Sequence, residues 1–194
     1  MLPIDPEVVL AGYRQGYFLM DNDDGLGWYS SLSRTVIPLD DRFRYPRSLR
    51  RSLNQHRFSP AINQDFLGVV TGCANRESTW ISSELQEIYL ALYKAGWAYS
   101  FETWQGGQLA GGILGIAIGG VFIGESMFYA IPEGSKVAMV KLVEHLRSQQ
   151  FALFDVQMMN PHLARFGAYT LSELDYQRQL QAVTQLQRSF QPEP

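Results

Sequence analysis

Residues 97–128 restrict the fold more than any other stretch. Trp97-Ala98-Tyr99-Ser100-Phe101-Glu102-Thr103-Trp104 reads as a strand, Gln105-Gly106-Gly107 as a turn, and Leu109 to Ile118 as a second, small and apolar strand. Gly119-Gly120 turns the chain again, and Val121 to Phe128 is a third strand. Tight hairpin turns need positive φ, which glycine adopts without steric cost. Three strands joined in this way form an antiparallel meander. Gly111, Gly112 and Gly115 lie inside the central strand and predict a bulge, or close approach of a ligand or another backbone. Ser135 to about Ser148 has helical spacing with Val137, Val140, Leu142, Val143 and Leu146 inward, and Phe151 to Gln157 is a fourth strand. Strand, helix and strand in succession predict a parallel crossover. The expected class is α+β, a mostly antiparallel sheet with one parallel crossover, flanked by helices.

The remaining segments are mainly helical. Asp5-Pro6-Glu7 has the order of a cap, a first-turn proline and a first-turn acid, with Gly16 as the stop. Tyr17 to Met20 is apolar and Asp21 to Gly25 reads as a polar turn, without the spacing or closing glutamate of a calcium loop. Pro46 opens a helix with Leu49 and Leu53 on its buried side. Asn63 to Cys73 and the segment capped by Ser83 are two more helices, the latter with Leu85, Ile88, Tyr89, Leu92 and Tyr93 on its apolar face. Leu171 to Leu186 is a last helix, and 187–194 a polar tail. With 46% hydrophobic residues in 194, the chain has material for a real core. Its single cysteine excludes a disulfide framework and a cysteine-rich zinc site. No apolar run has membrane-spanning length and Met1 to Pro6 is not a signal peptide, so a soluble cytoplasmic protein is expected.

The net charge of −3 excludes a globally basic nucleic-acid binder but conceals a local imbalance. Residues 34–57 hold Arg34, Arg42, Arg44, Arg47, Arg50, Arg51 and Arg57, seven of the sixteen basic residues, opposed only by Asp40 and Asp41. Arg47, Arg50 and Arg51 fall on the exposed side of the helix opened by Pro46. Two readings stand: an ordinary solvated face, or a phosphate-binding patch.

Chemistry is concentrated in two places. Glu125 is one acid in Phe122-Ile123-Gly124-Glu125-Ser126-Met127-Phe128, where it either faces water or occupies a cleft. Asp155 and Gln157, two apart on a strand, project from one face. His56, His145 and His162 lack metal-ligand spacing. No Gly-x-Ser-x-Gly elbow supports a hydrolase triad, and no Gly-x-Gly-x-x-Gly joins a strand to a helix.

Gly16-Tyr17-Phe18, Trp28-Tyr29-Ser30, Thr79-Trp80-Ile81, Gly111-Gly112, Gly124-Glu125-Ser126-Met127-Phe128, Ser135-Lys136, Asp155-Val156-Gln157 and Asn160-Pro161-His162 occur in this order. Together they resemble the bacterial leucyl/phenylalanyl-tRNA–protein transferases, from about Asp5 to Tyr176. The resemblance implies an N-acetyltransferase-like core over 35–194 behind a small N-terminal region, 1–34. It implies transfer of Leu or Phe, and weakly Met, from aminoacyl-tRNA to the N-terminal Arg or Lys of a protein, creating an N-end-rule degradation signal. No cofactor or metal, and neither DNA nor membrane as partner, is implied. Ala130 to Lys136 does not match the pyrophosphate loop of a CoA enzyme.

Carried over by position, Asp155 and Gln157 are catalytic, with Asp155 orienting Gln157 and Gln157 positioning the attacking amine. Glu125 lies near the acceptor, and Trp80 stacks near the terminal adenosine. Met127, Leu142, Leu146 and Phe154 line the donor side-chain pocket, and Asn160 lies in the loop after the catalytic strand. Arg47, Arg50 and Arg51 face the acceptor stem. Three features depart from the pattern: the stretch before the first helix is short, Leu19-Met20 replaces Pro-Trp, and Leu142 and Leu146 replace aromatics. Two alternatives stand beside this reading: a same-superfamily acyltransferase with another donor, and a non-catalytic module that binds basic N-termini.

Overall fold

The computed structural model describes residues 5–75 and 79–191. The first four residues of the N-terminal region and the last three of the expected tail lie outside these. Helix α1 (Pro6–Arg14) is capped by Asp5, which accepts from Glu7 N at 2.9 Å. Strands β1 (Phe18–Asn22) and β2 (Gly25–Tyr29) form a separate two-stranded hairpin. Asp21 and Asn22, expected in a turn, belong to β1. The return strand escapes the sequence pattern because Gly25 and Gly27 break its alternation.

The chain continues through β3 (Ser33–Val36), α2 (Leu49–Asn54), β4 (Ser59–Ile62), α3 (Phe66–Ala74) and α4 (Ser83–Lys94). Helix α2 is shorter than expected: residues 46–48 form a turn before it. Ser82, not Ser83, caps α4, accepting from Leu85 N at 3.3 Å. Then follow β5 (Ala98–Gln105), β6 (Gln108–Ile118), β7 (Val121–Tyr129), α5 (Gly134–Ser148), β8 (Leu153–Asp155), α6 (Pro161–Ala164), β9 (Tyr169–Ser172) and α7 (Glu173–Thr184).

The main sheet has seven strands in the order β4-β5-β6-β7-β8-β3-β9. Every pair is antiparallel except β7 with β8, which α5 connects as the expected crossover. Both faces are covered, so the central strands are apolar throughout rather than alternating with polar residues. Leu114, Ile116, Ile118, Val121 and Ile123 meet α1, α3, α4 and α7 on one face. Ile113, Ala117, Phe122 and Phe154 meet α5 on the other.

The expected close approach within β6 occurs at Gly111. A Cβ there would stand 2.6 Å from Ser135 N, so the start of α5 rests directly on the strand. The expected polar tail is also anchored: Phe190 is buried and its ring stacks on Phe122 with centroids 4.8 Å apart.

Candidate active site

β7 and β8 pair only over Val121–Ile123 and Leu153–Asp155. Beyond that point β7 continues to Tyr129, whereas the chain after Asp155 turns to β3. There Val156 N donates to Thr35 O and Thr35 N to Gln157 O, both at 2.9 Å. The two strands part, and the gap opens a cavity of about 420 Å³. Its apolar walls come from Phe18, Trp80, Ile113, Phe154, Val156 and Leu163, together with Met20, Met127, Met139, Met158 and Met159. Five of the chain's six methionines therefore line one cavity. Thioether side chains are unbranched and polarisable, so such a wall adapts to differently shaped guests.

Glu125 enters this cavity because β7 bulges. The register with β6 passes from Leu114↔Ser126 to Gly115↔Gly124, leaving Glu125 without a cross-strand partner. A bulge re-aims a side chain that regular pairing would fix. The carboxyl group is buried and accepts from Tyr89 Oη at 2.8 Å. Tyr13 is fully buried on the same side, where burial and the Glu125 charge push its hydroxyl up. Burial pushes Glu125 up from the ordinary carboxylate range to about 7, with Asp155 adding to the rise and Tyr89 and Arg34 opposing it.

Gln157 follows β8 in a left-handed backbone conformation, φ 54°. Such a conformation is costly for a residue with a Cβ and persists only where neighbours enforce it. Asp155 does so: its Oδ1 accepts from Gln157 N at 2.9 Å. The Gln157 side chain has two hydrogen-bonding orientations. In one, Nε2 donates to Glu125 Oε1 at 3.3 Å. In the other, Nε2 donates to Gly124 O at 2.9 Å and Val156 O at 3.1 Å. The second turns the amide oxygen toward Glu125, which suits a protonated carboxyl, whereas the first suits an ionised one.

Asp155 itself is saturated. Arg34, expected in the surface cluster, is instead 1% exposed and grips Asp155 through Nε and Nη2 at 2.7–3.0 Å. Its Nη1 donates to Gly16 O at 2.9 Å, and its guanidinium lies between the rings of Phe18 and Tyr176, 4.9 and 4.7 Å from their centroids. Tyr176 Oη gives Asp155 another hydrogen bond at 2.7 Å. Burial alone would lower the Arg34 pKa, but Asp155 reverses this and the net direction is up. Burial and Asp155 push Tyr176 up.

The expected site residues divide accordingly. Glu125, Gln157, Trp80, Met127, Phe154 and Asn160 all line the cavity. Asn160 also caps α6, accepting from Leu163 N at 2.9 Å. Asp155 lies behind the site and holds the Gln157 backbone rather than its amide. Leu142 and Leu146 are fully buried in the core beneath the sheet, and α5 reaches the cavity through Met139 instead. A one-turn difference along the helix moves the wall residue, so helical periodicity alone does not select it. Arg47, Arg50 and Arg51 are exposed at and before α2, outside the cavity. Among the described residues no group of three or more His, Cys, Asp or Glu could hold a metal. No helix there is long and apolar enough to cross a membrane.

Sequence reasoning missed Arg34, Tyr13, Tyr89 and Tyr176. Arg34 carried a signal: it precedes Thr35-Val36-Ile37, a β-branched run that marks a buried strand. The tyrosines carried none, since each reads as an ordinary apolar position of its helix.

A sheet split between two parallel strands, with an apolar cavity in the split and a carboxyl and an amide at its polar end, defines an acyltransferase-like core. The chain belongs to the leucyl/phenylalanyl-tRNA–protein transferase family: the family model matches residues 36–181, and that of the family's N-terminal domain matches 3–32. A leucyl/phenylalanyl-tRNA–protein transferase from Nostoc sp. is 70% identical over 174 residues, covering 89% of this chain and 91% of the relative. One from Synechocystis sp. is 59% identical, covering 100% and 98%. One from Deinococcus radiodurans is 46% identical, covering 92% and 88%.

Proposed function

We propose that this enzyme transfers Leu or Phe, and to a lesser degree Met, from aminoacyl-tRNA to the N-terminal Arg or Lys of a cytoplasmic protein, marking it for N-end-rule degradation. The observation that carries the reading is the convergence of Glu125 and Gln157 at the polar end of a methionine-lined cavity. Residues 35–194 act as the catalytic domain, with 1–34 as a small region tied to it through the ion pair of Arg34 with Asp155.

The reaction is aminolysis of an ester already activated for attack. The acceptor nitrogen bonds to the ester carbonyl carbon, the bond to the ribose oxygen breaks, and that oxygen leaves with a proton. An α-ammonium group has an ordinary pKa of about 8 and must lose its proton first. Glu125, poised near 7, attracts the cationic acceptor and is matched to that proton. Gln157 is a very weak base and acts by positioning the amine. Orientation alone lowers such barriers by roughly 7–11 kcal/mol. Trp80 faces the terminal adenosine of the donor, and the adaptable wall receives the donor side chain. Single-methylene discrimination in apolar pockets is only about 1–3 kcal/mol, so Met follows Leu and Phe.

The test is incubation with labelled Leu-tRNA or Phe-tRNA and peptides beginning with Arg, Lys or Ala. Label is expected in the Arg and Lys peptides. Absence of label from all of them refutes the reading, and equal labelling of the Ala peptide refutes the acceptor assignment.

A further inference from the structure

We propose that a strip formed by Arg165, Arg44 and Tyr45 carries the unpaired 3′ end of the donor RNA between the cationic helix α2 and the mouth of the cavity. This rests on the reading that the donor is an aminoacyl-tRNA.

The first support is how the positive charge is distributed. Within 34–57, Arg34 is neutralised by Asp155, Arg42 by Asp40 and Arg57 by Glu133. Arg44, Arg47, Arg50 and Arg51 are exposed and, among the described residues, form no ion pair; the same holds for Arg165. The unspent charge is thus a subset of the arginines, selected by position.

The second support is contiguity. Asn160 lines the cavity and caps α6, and Arg165 caps the other end of that four-residue helix. At 1.5 Å per residue, about 6 Å of helix separates the cavity rim from Arg165. Arg44 is fixed beside it, because Arg44 N donates to Phe166 O at 3.3 Å and Phe43 stacks on Phe166. Arg44 and Arg165 accordingly flank one open depression of about 510 Å³, with the half-buried Tyr45 and Pro46 in its wall. Pro46 then leads straight into the turn that carries Arg47, its carbonyl accepting from Leu49 N at 3.0 Å. Burial lowers the His162 pKa, and the charges of Lys136 and Arg165 lower it further.

The third support is chemical. An aromatic ring flanked by cations is the usual platform for single-stranded nucleic acid: bases stack on the ring and phosphates meet the charges. With the aminoacyl group in the cavity and duplex against α2, the intervening unpaired nucleotides have to cross this surface.

The experiment compares two donors, aminoacyl-tRNA and aminoacyl-adenosine, with the full chain and the variants Tyr45→Ala, Tyr45→Phe and Arg44→Gln/Arg165→Gln. Tyr45→Ala is expected to lower kcat/KM for aminoacyl-tRNA by roughly 5- to 150-fold, the range for loss of one stacked base, and Tyr45→Phe is expected to restore most of it. With aminoacyl-adenosine the loss should be far smaller than with aminoacyl-tRNA, in Tyr45→Ala as in the double-arginine variant. That variant should also flatten the salt dependence of binding to an RNA hairpin with an unpaired 3′ end, by about 1.4 in log–log slope. Equal losses with both donors, or an unchanged slope, would overturn the proposal. Binding of the hairpin is measured without turnover, so it judges the strip even if the unsubstituted protein transfers nothing. That last outcome would sink the transferase reading instead.

Discussion

Replacing Arg34 by methionine tests the arrangement behind the site. Arg34 supplies three of the contacts to Asp155, at 2.7, 2.9 and 3.0 Å, and a fourth hydrogen bond to Gly16 O. Both side chains are buried, at 2% and 0% exposure, so water cannot replace the lost donors. Removing one partner of a buried ion pair typically costs about 3–5 kcal/mol, because the other charge stays buried without compensation. Against a total stability of about 5–15 kcal/mol, that is a large fraction. At roughly 2–4 °C per kcal/mol for a chain of this size, Tm should fall by about 6–20 °C. Urea titration of Arg34→Met, Asp155→Leu and the double variant gives the cycle. The double variant buries no charge and should lose much less than the sum of the singles. Arg34→Lys keeps a charge but not the planar fork and should recover only part of the loss. Single variants that each cost under about 1 kcal/mol, or costs that simply add, would refute the reasoning.

Glu125→Gln should remove an activity limb that rises with pH around 7, because the proposed function needs the ionised form and burial holds Glu125 near 7. The stability sign is fixed by the same shift: a carboxyl raised in the folded state contributes most below about 4.5 and loses that contribution as pH rises through about 7. Stability of the Gln variant relative to the parent should therefore grow over that window, and a constant difference would sink the assignment. Gln157→Gly should be more stable than Gln157→Ala by about 1 kcal/mol in urea titrations, because only glycine tolerates φ 54° freely. Both should lose transfer, and full activity in either would remove Gln157 from the mechanism. Met139→Phe should fill the wall that α5 presents and favour Leu over Phe donors by roughly tenfold in kcat/KM. An unchanged ratio would mean that the donor side chain lies elsewhere.

The sequence makes the meander and crossover legible because their signals are local: glycine turns at 106–107 and 119–120, and helical spacing between two apolar strands. Strands β3, β4 and β9 are four residues each, too short for a period-two pattern to stand out. They exist because neighbouring strands offer them hydrogen bonds. The site was legible where chemistry forces a polar group into an apolar string, as at Glu125, Asp155 and Gln157. It was illegible where the determinant is a partner far along the chain: Arg34 meets Asp155 across 121 positions, and nothing near Arg34 announces a buried acid. Composition misled there too, since counting Arg34 with its neighbours enlarged a surface patch to which it contributes no charge.

The two carboxyl groups of the site are held in opposite ways, and this assigns their work. A carboxylate offers about four acceptor positions. Those of Asp155 are taken by Arg34, Tyr176 Oη and Gln157 N. A group so fully engaged has no free lone pair for an incoming ammonium, which supports a positioning role for Asp155 through the Gln157 backbone. Glu125 accepts from Tyr89 and, in one of the two Gln157 orientations, from its amide, with Tyr13 close by, and it meets no cation as directly as Asp155 meets Arg34. It therefore keeps capacity for a cationic guest. An ionised Glu125 suits Gln157 Nε2 turned toward it, and a protonated one suits the amide oxygen. If Glu125 takes the ammonium proton, the amide oxygen is drawn toward the new O–H and Nε2 moves to Gly124 O and Val156 O. On the proposed mechanism, one proton transfer thus frees the amine and resets the group that positioned it.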